Sequence, residues 1–131
     1  VPFFEELKFS SPKNSIAKVK KISSFDQTSK LQISLDEYFL KKKIYPNVIK
    51  IDVEGAELFV LIGAEKIIRK VMPTIYLSIH PNWLIELGQT VKQLLSFIDK
   101  LGYNIFDINM KTPEAISLDE YILLPKIDIT Q

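Results

Sequence analysis

One decapeptide constrains the fold more than any other part of the sequence: Val48-Ile49-Lys50-Ile51-Asp52-Val53-Glu54-Gly55-Ala56-Glu57. A short β-branched apolar run ends in an acid, a second acid follows two places on, and a glycine leads into a helical pattern. The run suits a buried strand, and a strand turning into a helix is the repeating unit of an α/β sheet. Open α/β sheets bind ligands outside the carboxyl ends of their strands, at the turn into the next helix. Asp52 and Glu54 are therefore candidate site residues, and Gly55 permits a turn that a side chain would obstruct. The same acids also suit a plain helix entry, where they serve as caps.

The flanking sequence supplies the rest of an α/β pattern. Ser34 followed by Glu37 reads as a capping box opening a helix over residues 35–43, ended before Pro46. Lys41-Lys42-Lys43 at its end reads as a solvated surface that complements the helix dipole. After the strand at 48–52, a helix is predicted over 56–70, with Val60, Ala64, Ile67, Ile68 and Val71 at helical spacing and Gly63 interrupting them. A second buried strand covers 74–79 and ends at His80-Pro81, and a helical turn follows over 82–87. Thr90 caps the clearest helix, 91–101, whose stripe is Val91, Leu94, Leu95, Ile98 and Leu101. A strand over 103–108 and a last strand near 121–124 complete the pattern. The loop before that last strand holds about ten residues, fewer than a parallel crossover needs, so the strand should run antiparallel. The expected class is α/β with a mainly parallel core and a terminal antiparallel strand.

Composition narrows the possibilities. The 131 residues suit one domain, and 47% hydrophobic against 25% charged residues is globular rather than disordered. Seventeen basic and sixteen acidic side chains leave a net charge of +1, which gives no electrostatic case for nucleic acid or a membrane surface as partner. The absence of cysteine excludes disulfides, thiolate metal sites and a cysteine nucleophile, and suits the cytoplasm. No apolar run approaches the roughly 18 residues that span a bilayer. The four glycines, at 55, 63, 88 and 102, form neither a Gly-x-Gly-x-x-Gly loop nor a P-loop. Before the helix at 35, residues 1–30 read as an irregular lead-in with an alternating, lysine-rich edge strand at 16–22. The sequence opens on Val1 rather than methionine, which reads as a piece of a longer protein. The hexapeptide Ile-Ser-Leu-Asp-Glu-Tyr occurs at 33–38 and again at 116–121, with flanks too different for a repeat, so the two copies are free to fold differently.

Three segments together resemble one family. They are Ile33 to Tyr38, then Ile49 to Glu57 with Leu61-Ile62-Gly63-Ala64, then Pro73-Thr74-Ile75-Tyr76-Leu77-Ser78-Ile79-His80-Pro81. In order and spacing they resemble the FkbM-type methyltransferases, S-adenosylmethionine-dependent enzymes with a Rossmann-like sheet. The resemblance covers residues 31–125 and implies the C-terminal half of the catalytic domain, with 126–131 a tail. It implies an O-methyltransferase acting on a small-molecule or sugar-like hydroxyl. Two departures stand out: the family's glycine-rich turn and ribose-holding acid belong to its first half, and Ser78 stands where the family often carries a glutamate.

The resemblance also implies roles. Asp52 would lie near the transferred methyl, where its carboxylate could orient the acceptor hydroxyl, contact the cofactor's methionine end, or hold a metal ion; no metal is expected. Glu54 would share its face if the extended backbone continued past Asp52. His80, the only histidine, ends the neighbouring strand on the same rim and titrates near neutrality, which suits a general base. Glu57 reads as a first-turn helix acid, or at most as a residue supporting the site from behind, and Trp83 as a wall of the acceptor pocket or a packing residue. The rival reading is a non-catalytic α/β binding or scaffold module. A phospho-acceptor receiver domain is excluded, because no acidic pair follows the strand at 16–22.

Overall fold

The computed structural model describes residues 32–127. The readings for the lead-in, its edge strand and the last residues of the tail lie outside that range. The elements run α1 (Leu35–Lys42), β1 (Val48–Ile51), α2 (Glu57–Gly63), α3 (Glu65–Val71), β2 (Thr74–Ile79), α4 (Pro81–Glu86), α5 (Val91–Lys100), β3 (Tyr103–Phe106) and β4 (Asp119–Pro125).

The sheet order is β1-β2-β4-β3. β1 pairs parallel with β2, and β4 pairs antiparallel with both β2 and β3. The last strand is antiparallel, as its short connection requires. It inserts between β2 and β3, so two of the three pairings are antiparallel and the sheet is mixed, not mainly parallel. β1, β2 and β3 still point the same way, which places the carboxyl ends of β1 and β2 side by side.

Side chains alternate across this sheet as strand geometry demands. Ile49, Ile51, Ile75, Leu77, Ile79, Tyr121 and Leu123 form one buried layer, and Leu61, Ile67, Ile68, Leu94 and Ile98 of the helices join them in one core. The opposite face is more open: Val48 is 57% and Tyr76 45% exposed. Lys50, Tyr76, Ser78, Glu120 and Ile122 line a shallow cleft of about 380 Å³ there.

Several boundaries differ from the sequence reading. The long helix at 56–70 is two helices that break at Ala64, whose backbone (φ −114°, ψ 6°) caps both. The break has two partners in α1. A Cβ on Gly63 would lie 3.1 Å from the Ser34 Cβ, so glycine admits the close approach of the two segments. The Asp36 carboxylate then accepts from the Lys66 and Ile67 N–H groups (3.0 and 2.7 Å), satisfying donors that the start of α3 would otherwise leave unpaired. An acid from thirty residues upstream caps this helix, which no local window can show.

Of the capping box expected at α1, the Ser34 half is present, with its Oγ accepting from the Glu37 N–H at 3.0 Å. Thr90 and Gln93 form a full capping box at the head of α5. Of the α5 stripe, Leu94, Ile98 and Leu101 are buried, while Val91 and Leu95 are only partly covered. β3 stops at Phe106 because residues 107–111 form a turn: the Asp107 carboxylate accepts from the N–H groups of Asn109 and Lys111 (2.8 and 3.0 Å). The duplicated hexapeptide takes two conformations, the first opening α1 and the second leading through a loop into β4.

Candidate functional site

The carboxyl ends of β1 and β2 bring the candidate residues together. β1 ends at Ile51, and the chain turns through Val53, Glu54, Gly55 and Ala56, with the Ala56 N–H bonded to the Val53 carbonyl at 3.4 Å. Both central residues lie in the left-handed region, Glu54 at φ 46° and Gly55 at φ 107°. The extended backbone therefore does not continue past Asp52, and Glu54 reaches the rim from a turn, not from a strand. A left-handed conformation costs a non-glycine residue roughly 1–2 kcal/mol, and such outliers collect at functional sites.

Gly55 is required by packing as well as by its backbone angle. A Cβ there would lie 2.7 Å from the Trp83 Cβ and 2.9 Å from the Trp83 carbonyl carbon and oxygen. Trp83 belongs to α4, so the acid-bearing turn is pressed against the first turn of the helix that follows β2. That is the contribution of Trp83 this structure shows: its backbone fixes the height of the turn.

His80 sits at the N-cap of α4, immediately before Pro81. The residue before a proline is driven out of the helical region, and proline at the first helical position fits a place that needs no N–H. The pair ends β2 abruptly and leaves the His80 ring on the rim, with its side chain 13% exposed. Its Nδ1 lies 2.5 Å from Glu57 Oε1, and its backbone N–H donates to the same oxygen at 3.1 Å. Its Nε2 lies 3.6 Å from Asp52 Oδ1. The bond to Glu57 and the negative charges of Glu57, Asp52 and Glu54 raise the His80 pKa above 6.5, against the opposing effect of burial.

Asp52, Glu54 and His80 are thus one cluster, as the sequence suggested. Glu57 is the residue whose part the sequence reading understated. It is the first-turn acid that the sequence suggests, but it is fully buried and is the direct partner of the histidine. A signal was present: Glu57 heads the core-facing row 57, 61, 64, 68 of the helical pattern, and a glutamate in such a row needs a partner inside the fold. Among the described residues, no group of three or more His, Asp or Glu side chains is arranged to hold a metal ion. No helix there is long and apolar enough to cross a membrane.

One of the comparisons with known proteins found a match. The family model of the FkbM methyltransferase domain matches residues 3–105. No curated protein and no solved structure matches the chain. The match begins nearer the N-terminus than the resemblance noted above and ends within β3. It covers well over half of the sequence, and the chain belongs to the FkbM methyltransferase family.

Proposed function

Within the FkbM methyltransferase family, we propose that this chain is part of an S-adenosylmethionine-dependent O-methyltransferase acting on a small-molecule or sugar-like hydroxyl. The observation that carries the reading is the convergence of Asp52, Glu54 and His80 at neighbouring strand ends, the position where α/β sheets bind ligands. The donor set fits the cofactor, since three carboxylates around one imidazole make a site of negative charge and S-adenosylmethionine carries a sulfonium and an ammonium. The order in which β4 inserts beside β2 supports a Rossmann-like sheet of the methyltransferase kind.

When bound, the cofactor supplies an electrophilic methyl: the acceptor oxygen forms the new carbon–oxygen bond while the carbon–sulfur bond breaks and sulfur keeps the electron pair as a neutral thioether. This chain's part is to orient the acceptor and to take its proton. Asp52, with a side chain 41% exposed, is open to a ligand and orients the hydroxyl or faces the cationic cofactor. His80 Nε2 is the proton acceptor, and its raised affinity for a proton suits that task near neutral pH. The sequence holds no Gly-x-Gly turn, so on this reading the glycine-rich, ribose-side grip on the cofactor lies in a first half of the domain, as the family resemblance implies.

The test is methyl transfer from labelled S-adenosylmethionine by the full-length protein, across sugar and small hydroxyl acceptors. Asp52→Asn keeps the shape and capping ability of the residue and removes its charge. Turnover should fall on the order of 100-fold or more, the scale of a positioned acid–base group, while the melting temperature stays put. Normal turnover in this variant would remove Asp52 from the mechanism. A scaffold module that kept the sheet and lost the chemistry would bind no cofactor in the full-length protein.

A further inference from the structure

We infer that Glu57 is the positioning residue of this site: it keeps the proton of His80 on Nδ1 and leaves Nε2 bare toward Asp52, where an acceptor hydroxyl can deliver its proton. The inference rests on the methyltransferase reading and adds to it a residue that touches neither substrate nor cofactor.

The arrangement at Nδ1 follows from taking Glu57 as a carboxylate; a Glu57 that donated to Nδ1 would put the ring hydrogen on Nε2, the outcome that overturns the inference. An ionised carboxylate oxygen only accepts, so the ring nitrogen 2.5 Å from Glu57 Oε1 carries the hydrogen. The neutral ring has one such hydrogen, and Nε2 is then an acceptor. The same Oε1 takes the His80 backbone N–H at 3.1 Å, so one oxygen anchors both the ring and the main chain of this residue. The ring cannot rotate without losing a charge-assisted bond.

Burial separates the work of the two acids. Glu57 is fully buried, so water does not compete for its oxygen, whereas Asp52 stays open to solvent and ligands. Nε2 and Asp52 Oδ1, 3.6 Å apart, are too distant to bond each other. A hydroxyl donating its one hydrogen to Nε2 at about 2.8 Å can approach on this open side of the ring, where Asp52 faces the imidazolium that results. The proton passes from that hydroxyl to Nε2, and the resulting imidazolium lies between Glu57 on α2 and Asp52 on the β1–α2 turn, with Glu54 of the same turn adding its charge.

Stability alone does not account for a glutamate here. Position 57 heads the row that continues with Leu61, Ala64 and Ile68, all fully buried. A leucine would fill such a place without stranding a charge, while the Glu57 Oε2 atom is buried with no hydrogen-bond partner among the described residues. Burying a charge is costly unless it is well paired, and a buried ion pair is weak support for a fold. The residue sits there at a cost to the core, and among the described residues its side chain bonds His80.

The experiment is nitrogen-15 NMR of histidine-labelled full-length protein, with the His80 signals identified by their loss in His80→Gln. Above its titration midpoint, wild-type His80 should carry its proton on Nδ1, and that midpoint should lie above 6.5. Glu57→Gln keeps the size and an accepting oxygen but removes the charge. It should lower the midpoint, reduce kcat on the order of 100-fold with little change in KM, and move the acidic limb of the kcat profile with the NMR midpoint. A wild-type proton on Nε2 would overturn the inference without any variant having to fold. An unmoved midpoint and kcat in folded Glu57→Gln would overturn it as well. The NMR readings need neither cofactor nor acceptor, so Nδ1 protonation in a protein that transfers no methyl group would count against the proposed reaction alone.

Discussion

Replacing Gly55 by alanine tests whether the acid-bearing turn is wedged against α4. Two costs are read from the structure. At φ 107° any side chain is strained, by roughly 1–2 kcal/mol. The added Cβ would also lie 2.7 Å from the Trp83 Cβ and 2.9 Å from two Trp83 backbone atoms, none of them the end of a flexible side chain. The turn and the helix must therefore separate, and forced overpacking of this kind costs about 1–3 kcal/mol. Together the two give a loss of about 2–5 kcal/mol. Gly88→Ala is the control, because its φ of 76° carries the strain while nothing lies within 4 Å of the new Cβ. It should cost only about 1–2 kcal/mol. Urea unfolding of both variants, at equal dependence on denaturant, measures the difference. Equal losses would refute the wedge and leave Gly55 explained by its backbone angle alone. The extra loss in Gly55→Ala should come with a changed His80 NMR signal, since the same movement pulls Glu57 away from the ring.

Three further outcomes are expected. Leu94→Ala, at a fully buried position of α5, should cost about 2–5 kcal/mol in urea unfolding, and Leu95→Ala distinctly less because Leu95 is only partly covered; equal costs would mean that α5 is rotated. The folded-state pKa of His80 lies above its unfolded value of 6.5, so the stability this site provides is complete below about pH 6.5 and is lost as the pH rises through the folded value. Melting temperatures from pH 6 to 9 should show that decline in the wild type and a flatter curve in His80→Gln. Titration calorimetry of S-adenosylmethionine into the 131 residues alone should show no micromolar binding, and such binding would place the cofactor grip within this sequence.

How much was legible depended on the distance between cause and effect along the chain. The strand leading to Asp52, the Thr90 cap and the antiparallel last strand follow from residues close to one another, and each was read correctly, though the Gln93 half of the Thr90 box was not. The break between α2 and α3 was not, beyond the warning given by Gly63, because the carboxylate that caps α3 comes from Asp36. The site divides in the same way. Asp52 and His80 announce themselves as polar residues at the ends of apolar runs. Glu57 was read as a first-turn helix acid, which it is, and as no more than a supporting candidate for the site, since the one sign of its burial is its place in a row of core residues. The two copies of Ile-Ser-Leu-Asp-Glu-Tyr make the point within one molecule: Ser34 caps a helix, whereas Ser117 bonds through its backbone to the Tyr121 hydroxyl ahead of a strand. Six identical residues obey whichever neighbours the fold provides.

The place of β4 in the sheet has a consequence for the order in which the protein assembles. β1 and β2 can pair as soon as both have left the ribosome, but β3 has no strand to join until residues 119–125 emerge and enter the gap beside β2. Until then the growing chain offers the bare edges of β2 and β3, with Ile75, Leu77 and Ile105 awaiting Leu123 and Tyr121. Exposed apolar strand edges are templates for pairing with other chains. β4, the last of the described strands, therefore acts as a latch, and nascent chains stalled within the loop before it should be the species that chaperones hold and that aggregate when chaperones are absent.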